Sequence, residues 1–317
     1  MYDKLNMSIT ANDREILNRL ENAVTEGWST KVNPDGIVLC LDANIANFSV
    51  RRGVNRTTGE LSNTITLMGS IAKFANGNNV YALNRQQTRE AVEKLCDILT
   101  IPPDVVNVSQ LEFGTTFPMR YPVNLYFSRL GDLTRFKRKR LVKTETLQYE
   151  QNEKKIKFYD KKRECIDKKR ELPPLFDSMN LLRYEVTIIH SLAKKLHTGE
   201  QGFTLASICD GRIYQSLLDY YQETYNNIPK RYFADKDMKH IHTANDIIEG
   251  LFARLLSEAD PDVINEYLED IQAKAPLQDK ALYRAKKNLT TLLADGIDRD
   301  GLINELNNAV ANATAYV

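Results

Sequence analysis

Long apolar runs are missing from this sequence. The longest, such as Ile37 to Leu41, are far too short to span a bilayer. The opening MYDKLNMSIT lacks the apolar core of a secretory signal. Cysteine is sparse: Cys40, Cys96, Cys165 and Cys209 stand far apart, without metal-ligand spacing. They read as reduced thiols, so the expected compartment is cytoplasmic. Internal repeats and low-complexity tracts are absent. So is an excess of one charge: 43 Lys/Arg face 42 Asp/Glu, a net charge of +1, and bulk charge selects no polyanionic partner.

What is present supports a packed core. Hydrophobic residues make up 42% and charged residues 27%, which excludes wholesale disorder. A length of 317 suits two domains, or one large domain with an extension. Charge is also unevenly placed. Between Arg135 and Arg170 there are 15 Lys/Arg against 6 Asp/Glu, whereas from Asp235 onward there are 9 against 15. A basic middle beside an acidic tail points to one face for a polyanion, against the plain alternative of a solvated surface.

Periodicity divides the chain. Asn12 to Ala23 has helical spacing, with Asn12 as its cap. IVLCL reads as a buried strand. Gly69 to Leu83 reads as a hairpin, SIAKF and VYAL around NGNN. Asn84 and Gln87 form a capping box before a helix striped by Val92, Leu95, Cys96 and Leu99. VVNVSQLEFGTTF is a strand, and Tyr121 to Leu130 a short helix. Thr144–Tyr149 and Lys155–Lys161 pair as a hairpin around EQNEK, and LLRYEVTII is a further strand. Past about Ser191 three helical patterns follow, in LASICDGRIYQSLLDYYQETY, DIIEGLFARLL and KALYRAKKNLTTLLA, with a loose boundary between Leu196 and Gly202.

Strand parity then places side chains. Pairing Tyr149 with Ile156 puts Leu147, Tyr149, Ile156 and Phe158 on an apolar face. Thr146, Gln148, Lys157, Tyr159 and Lys161 fall on the other. By the same parity Glu112 and Glu185 leave the apolar faces of their own strands. If the three strands share a sheet, a tyrosine, two carboxylates and lysines share one polar surface. Tyrosine, with a pKa of about 10, needs a neighbouring cation or metal to become a nucleophile. Two carboxylates suit Mg²⁺ or Mn²⁺. Singly, each residue has a plainer reading, as a solvated glutamate or a tyrosine packed on lysine.

In order along the chain, MYDKLNM, GSIAKFANGNN, VSQLEFGTTFPMRYPVNLYFSRLG, TLQYEQNEKKIKFYDKKRE, NLLRYEVTI and TLASICDGRIYQSLLDYYQETYNNIPK resemble the filamentous-phage and plasmid replication initiators of the gene II/gene X type. The resemblance covers most of residues 1 to 230. It implies rolling-circle replication: nicking and rejoining of one DNA strand at an origin through a phosphotyrosine intermediate. On that basis the expected nicking centre has Tyr159 as nucleophile, with Asp160 beside it. Glu112 and Glu185 hold the metal. Lys157 or Lys161 lowers the tyrosine pKa or contacts phosphate, and Arg183 orients Glu185 or a phosphate. Tyr149 is the rival nucleophile, placed by parity on the apolar face. The family strand usually reading Arg-Ile-Asp here reads Gln110-Leu111-Glu112, so the acid is one methylene longer and the arginine is lost. His240-Ile241-His242 is one literal match to the His-hydrophobic-His metal motif of many such initiators, but it follows the tyrosine strand rather than preceding it.

Arg135, Lys137, Arg138, Lys139, Arg140, Lys162 and Arg163, interleaved with aromatics, are the expected DNA contacts. The expected architecture is α+β: an antiparallel-sheet nicking domain over residues 1–197, of a degenerate HUH-like or Rep-like kind, then a helical region over 198–317. The expected partners are origin DNA, single-stranded or supercoiled, with a host helicase and polymerase, in the cytoplasm of a bacterial host. The alternative is a catalytically inactive origin-binding protein of the same fold. Residues 250–317 are either a helical partner surface or structural packing.

Overall fold

The fold is described from a computed structural model, over residues 1–10, 14–24, 27–35, 37–55, 57–196, 202–233, 243–274, 279–294 and 298–315. The elements in chain order are β1 (Tyr2–Thr10), α1 (Arg14–Ala23), β2 (Ser29–Val32), β3 (Val38–Ile45), β4 (Phe48–Val54), β5 (Leu61–Ser70), α2 (Ile71–Asn76) and α3 (Arg85–Leu99). Then follow β6 (Asn107–Met119), α4 (Val123–Phe127), β7 (Lys137–Leu141), β8 (Thr146–Gln151), β9 (Lys154–Asp160), α5 (Lys161–Asp167) and β10 (Asn180–Ile189). The remaining helices are α6 (Leu192–Lys195), α7 (Gly211–Asn226), α8 (Ala244–Glu258), α9 (Pro261–Lys274), α10 (Asp279–Ala294) and α11 (Leu302–Ala315).

The strands form a ten-stranded antiparallel sheet in the order β2-β3-β4-β5-β1-β6-β10-β9-β8-β7, so the protein is α+β. The register Tyr149↔Ile156 is the one that parity requires. Leu111, Phe113, Leu147, Tyr149, Ile156, Phe158, Tyr184 and Val186 are all fully buried in one core with the stripes of α3 and α7. Aromatics join sheet to helix: Phe158 stacks on Tyr184 at 4.6 Å, and Tyr184 lies 4.3 Å from Tyr221 of α7. The two tyrosines also exchange hydrogen bonds with each other's carbonyls, at 3.1 and 2.9 Å. Each buried phenol thereby keeps a partner, as burial demands.

The capping box on α3 forms as expected. The hairpin expected over Gly69 to Leu83 does not: β5 runs to Ser70 and the chain then turns into α2. Ser70 caps α2 by accepting from the Lys73 amide, and Gly77 ends it at φ 72°, a left-handed cap for which glycine carries no Cβ penalty. The glycine and asparagines that resemble a hairpin turn are the exit of a short helix. The expected cap at Asn12 and the polar stretch 197–201 lie outside the described residues. Helices α6, α9 and α11 form in addition to the three patterned ones, and α11 buries Leu302, Ile303, Leu306 and Val310. Among the described residues no helix is long and apolar enough to cross a membrane.

Candidate functional site

The sheet face opposite the core carries a cavity of about 620 Å³. Glu112, Tyr159 and Glu185, from three separate strands, line it together with Lys157 and Asp3. Pairing explains the convergence. β10 lies between β6 and β9, so Glu185 sits opposite Gly114 on one side and Lys157 on the other, with Thr187 opposite Glu112. Gly114 has a specific task. A Cβ there would lie 2.4 Å from the Tyr184 carbonyl oxygen and 2.8 Å from Glu185 Cγ, so glycine is what lets Glu185 occupy its place.

The Tyr159 hydroxyl donates to Glu185 Oε1 at 2.7 Å. The same oxygen accepts from Arg183 Nε at 2.7 Å. Arg183 is fully buried and bridges onward, from Nη2 to Asp3 Oδ2 at 2.7 Å and from Nη1 to the Asn79 carbonyl at 2.6 Å. Asp3 also accepts from Ser70 Oγ and from Asn79 Nδ2. Carboxylate oxygens of Asp3, Glu112 and Glu185 lie within 4.8 Å of one another. Arg183 is thus hydrogen-bonded to Glu185 and closed off from solvent.

Asp3 is the site residue that strand reading misses. Simple alternation in β1 would put Asp3 with Leu5 and Met7 on the apolar face. A bulge intervenes: Tyr2 pairs with Phe113 and Leu5 with Leu111, so three steps on β1 match two on β6. The extra residue turns Asp3 to the polar face.

The charges in the site oppose one another. Burial, then the Glu185 carboxylate, pushes Glu112 from its ordinary 4.5 to about 7. Burial would also raise Asp3, but Arg183 and the Ser70 and Asn79 hydrogen bonds bring it below the usual carboxylate range. A raised acid stabilises the fold while protonated. The stability carried by Glu112 is thus complete below pH 4.5 and is lost as pH rises through about 7. In metal-free buffer the melting temperature is expected to fall across that window. Mg²⁺ or Mn²⁺ should restore it more at pH 8 than at pH 5, and Glu112→Gln should flatten both responses in differential scanning fluorimetry.

Several expectations change. Tyr159 is not held down by lysines: burial first, then Glu185, pushes its pKa well above the ordinary value. Lys157 points its ammonium to Glu112, 3.6 Å away. Lys161 is not a strand residue. It opens α5, fully buried, donating to Asn79 Oδ1 and Glu164 Oε2. The basic run is split by parity. Arg138 and Arg140 pair with Tyr149 and Leu147, on the face away from Tyr159, and are held by Asp262 and Asp260 beside α9. Arg138, with 3% of its side chain exposed, is turned away from solvent. Arg135, Lys137 and Lys139 stay exposed, Lys162 bonds the Asp177 carbonyl, and Arg163 pairs with Asp167 at 3.2 Å. Tyr149 is sealed on the apolar face, its hydroxyl donating to the Gly131 carbonyl at 2.8 Å. His240-Ile241-His242 lies outside the described residues.

Residues 1–207 match the Phage CRI family, described as the N-terminal part of the replication-associated gene II protein. The chain belongs to this family, the initiators of the filamentous-phage gene II type. Asp3, Glu112, Tyr159, Arg183 and Glu185 all fall within the matched residues, and a role in DNA replication, with DNA as partner, follows from the membership. A search of curated proteins found no match. Among solved structures, the di-domain ARO/CYC StfQ from the steffimycin biosynthetic pathway aligns over 71% of this chain and 96% of its own, at 10% identity. Its TM-score of 0.19 is too low to carry an argument.

Proposed function

We propose that this protein starts rolling-circle replication by nicking one strand of origin DNA, with Tyr159 as the nucleophile, in a degenerate HUH-like sheet domain over residues 1–197 followed by a helical region over 198–317. The observation that carries the reading is the meeting of the Tyr159 hydroxyl with two glutamates from two other strands in one cavity.

Tyr159 gives its proton to Glu185, which already accepts its hydrogen bond. The phenolate oxygen then attacks phosphorus. A P–O bond to tyrosine forms, the P–O3′ bond breaks, and the leaving 3′-oxygen takes a proton from solvent. The 5′-phosphotyrosine link keeps the energy of the broken bond, so the strand can be rejoined, and the 3′-hydroxyl is a primer for a host polymerase, with a host helicase to unwind. Arg183 keeps Glu185 aimed at the phenol.

The acidic trio fits a divalent cation. Three carboxylates lie within 4.8 Å, and Glu112 is driven toward neutrality by burial and its like-charged neighbour when no cation is there. Asp3, Glu112 and Glu185 would hold Mg²⁺ or Mn²⁺, which supplies polarisation of the phosphodiester and offsets developing negative charge.

One observation favours the inactive origin-binding reading: Gln110, where the family carries arginine, is spent on a 2.9 Å hydrogen bond from Asn6. Incubating the protein with supercoiled and single-stranded origin DNA and Mg²⁺ or Mn²⁺ separates the two. Nicked circles and a covalent adduct are expected. Tight, salt-dependent binding without either would move the assignment to origin binding alone.

A further inference from the structure

Helix α2, which stands where the sequence suggests a hairpin, forms one wall of the nicking cavity. It is braced to the carboxylate floor at both ends. Ser70, its cap, bonds Asp3, and Asn79, just past its exit, bonds Asp3, Arg183 and Lys161. Between these braces Lys73 lines the cavity, half-buried. Among the described residues its ammonium has no hydrogen-bond or carboxylate partner.

The facing wall is α5 and the turn after it, with Glu164, Asp167, Lys168 and Arg170 on the cavity. Glu164 is shared by three cations: Lys161 at 2.7 Å, Lys168 at 2.6 Å and Arg170 at 3.1 Å. Asp167 is turned to Arg163. One carboxylate thus serves three cations on one side, and an unserved lysine stands on the other. Burial, then the Arg170 guanidinium, lowers the Lys73 pKa, with Asp3 and Glu164 acting the other way. A lysine placed against like charge, with no carboxylate in direct contact, is a site for an anion.

We propose that Lys73 and Arg170 clamp a phosphate of the DNA backbone next to the scissile one, and so set where along the strand Tyr159 cuts. The clamp rests on the nicking assignment for its purpose but not for its test. Point cations at a phosphate act through counter-ion release, so removing one should lower the salt slope of binding by about 0.7 on single strands.

The test uses the full chain carrying Tyr159→Phe, so that no chemistry intrudes, with a dye-labelled oligothymidylate as probe and anisotropy read over a salt series. Lys73→Gln and Arg170→Gln should each weaken binding roughly three- to tenfold at low salt and flatten the slope by about 0.7, while Lys73→Arg keeps the parent slope. Because Arg170 lies on the opposite wall, its variant reads the clamp even if Lys73→Gln disturbs α2. Parent slopes in both glutamine variants, with unchanged melting, would overturn the clamp. Separately, in the Tyr159 protein, Lys73→Gln should spread the nick over neighbouring positions. If the wild-type chain never nicks, the nicking assignment fails while the binding result stands.

Discussion

Phenylalanine at position 159 is expected to remove the covalent protein–DNA adduct and to drop nicking to background, a loss of at least about 10³-fold, with DNA affinity nearly unchanged. The substitution deletes one oxygen. Its hydrogen bond runs to Glu185 at 2.7 Å, and that carboxylate keeps Arg183. The cost in stability should be about 1.5–3 kcal/mol, the usual net worth of a hydrogen bond to a charged group. Denaturing gels of protein with radiolabelled strand read the adduct, and a melting curve reads the fold. Tyr149→Phe is the contrasting case. It should lose about 1 kcal/mol, through the neutral bond to the Gly131 carbonyl, and nick as before, because that phenol never meets the cavity. An adduct surviving in Tyr159→Phe would end the assignment of the nucleophile.

Arg183→Met should be the most damaging change to the fold. Arg183 is the buried cation between Asp3 and Glu185, both nearly inaccessible themselves. Without it, two buried carboxylates lose their paired cation while facing each other and Glu112, with Lys157 reaching only Glu112, at 3.6 Å. Breaking a buried pair in this way costs about 3–5 kcal/mol. For a chain of this size that is a fall in melting temperature of roughly 6–15 °C. Arg183→Lys should recover only part of it, because one ammonium cannot span the 2.7 Å contacts to Glu185 and Asp3 at once. Adding Asp3→Asn to Arg183→Met should be less harmful than the single change, which a double-mutant comparison by chemical denaturation would reveal.

The polar face of the sheet is legible wherever a strand is amphipathic over its whole length. In β9 the apolar pair Ile156 and Phe158 fixes the faces, so Lys157 and Tyr159 follow, and the same logic places Glu185 and Glu112. Asp3 is not legible, because the bulge between Tyr2 and Leu5 reverses parity and leaves no trace in residue types. In the run Lys137 to Leu141 every residue but the last is charged, so no apolar marker tells which arginines turn to the core side. Helix α2 is six residues long, too short to show a 3.6-residue period, and its glycine exit imitates a turn. The tyrosine's charge state depends on burial, which the lysine-rich surroundings of Tyr159 conceal.

The place of β1 in the sheet has a consequence for how the molecule comes into being. β2–β5 lie on one side of it and β6–β10 on the other, so this first-made strand stitches the two halves. It waits for both partners: Asn6 meets Gln110 across 104 positions of chain. Such distant pairings close late and slowly. Because Asp3 rides on that strand while Glu112, Tyr159 and Glu185 belong to the later half, no partly made chain holds the complete acidic centre. The acidic centre is completed in one step, with the last stitch of the sheet.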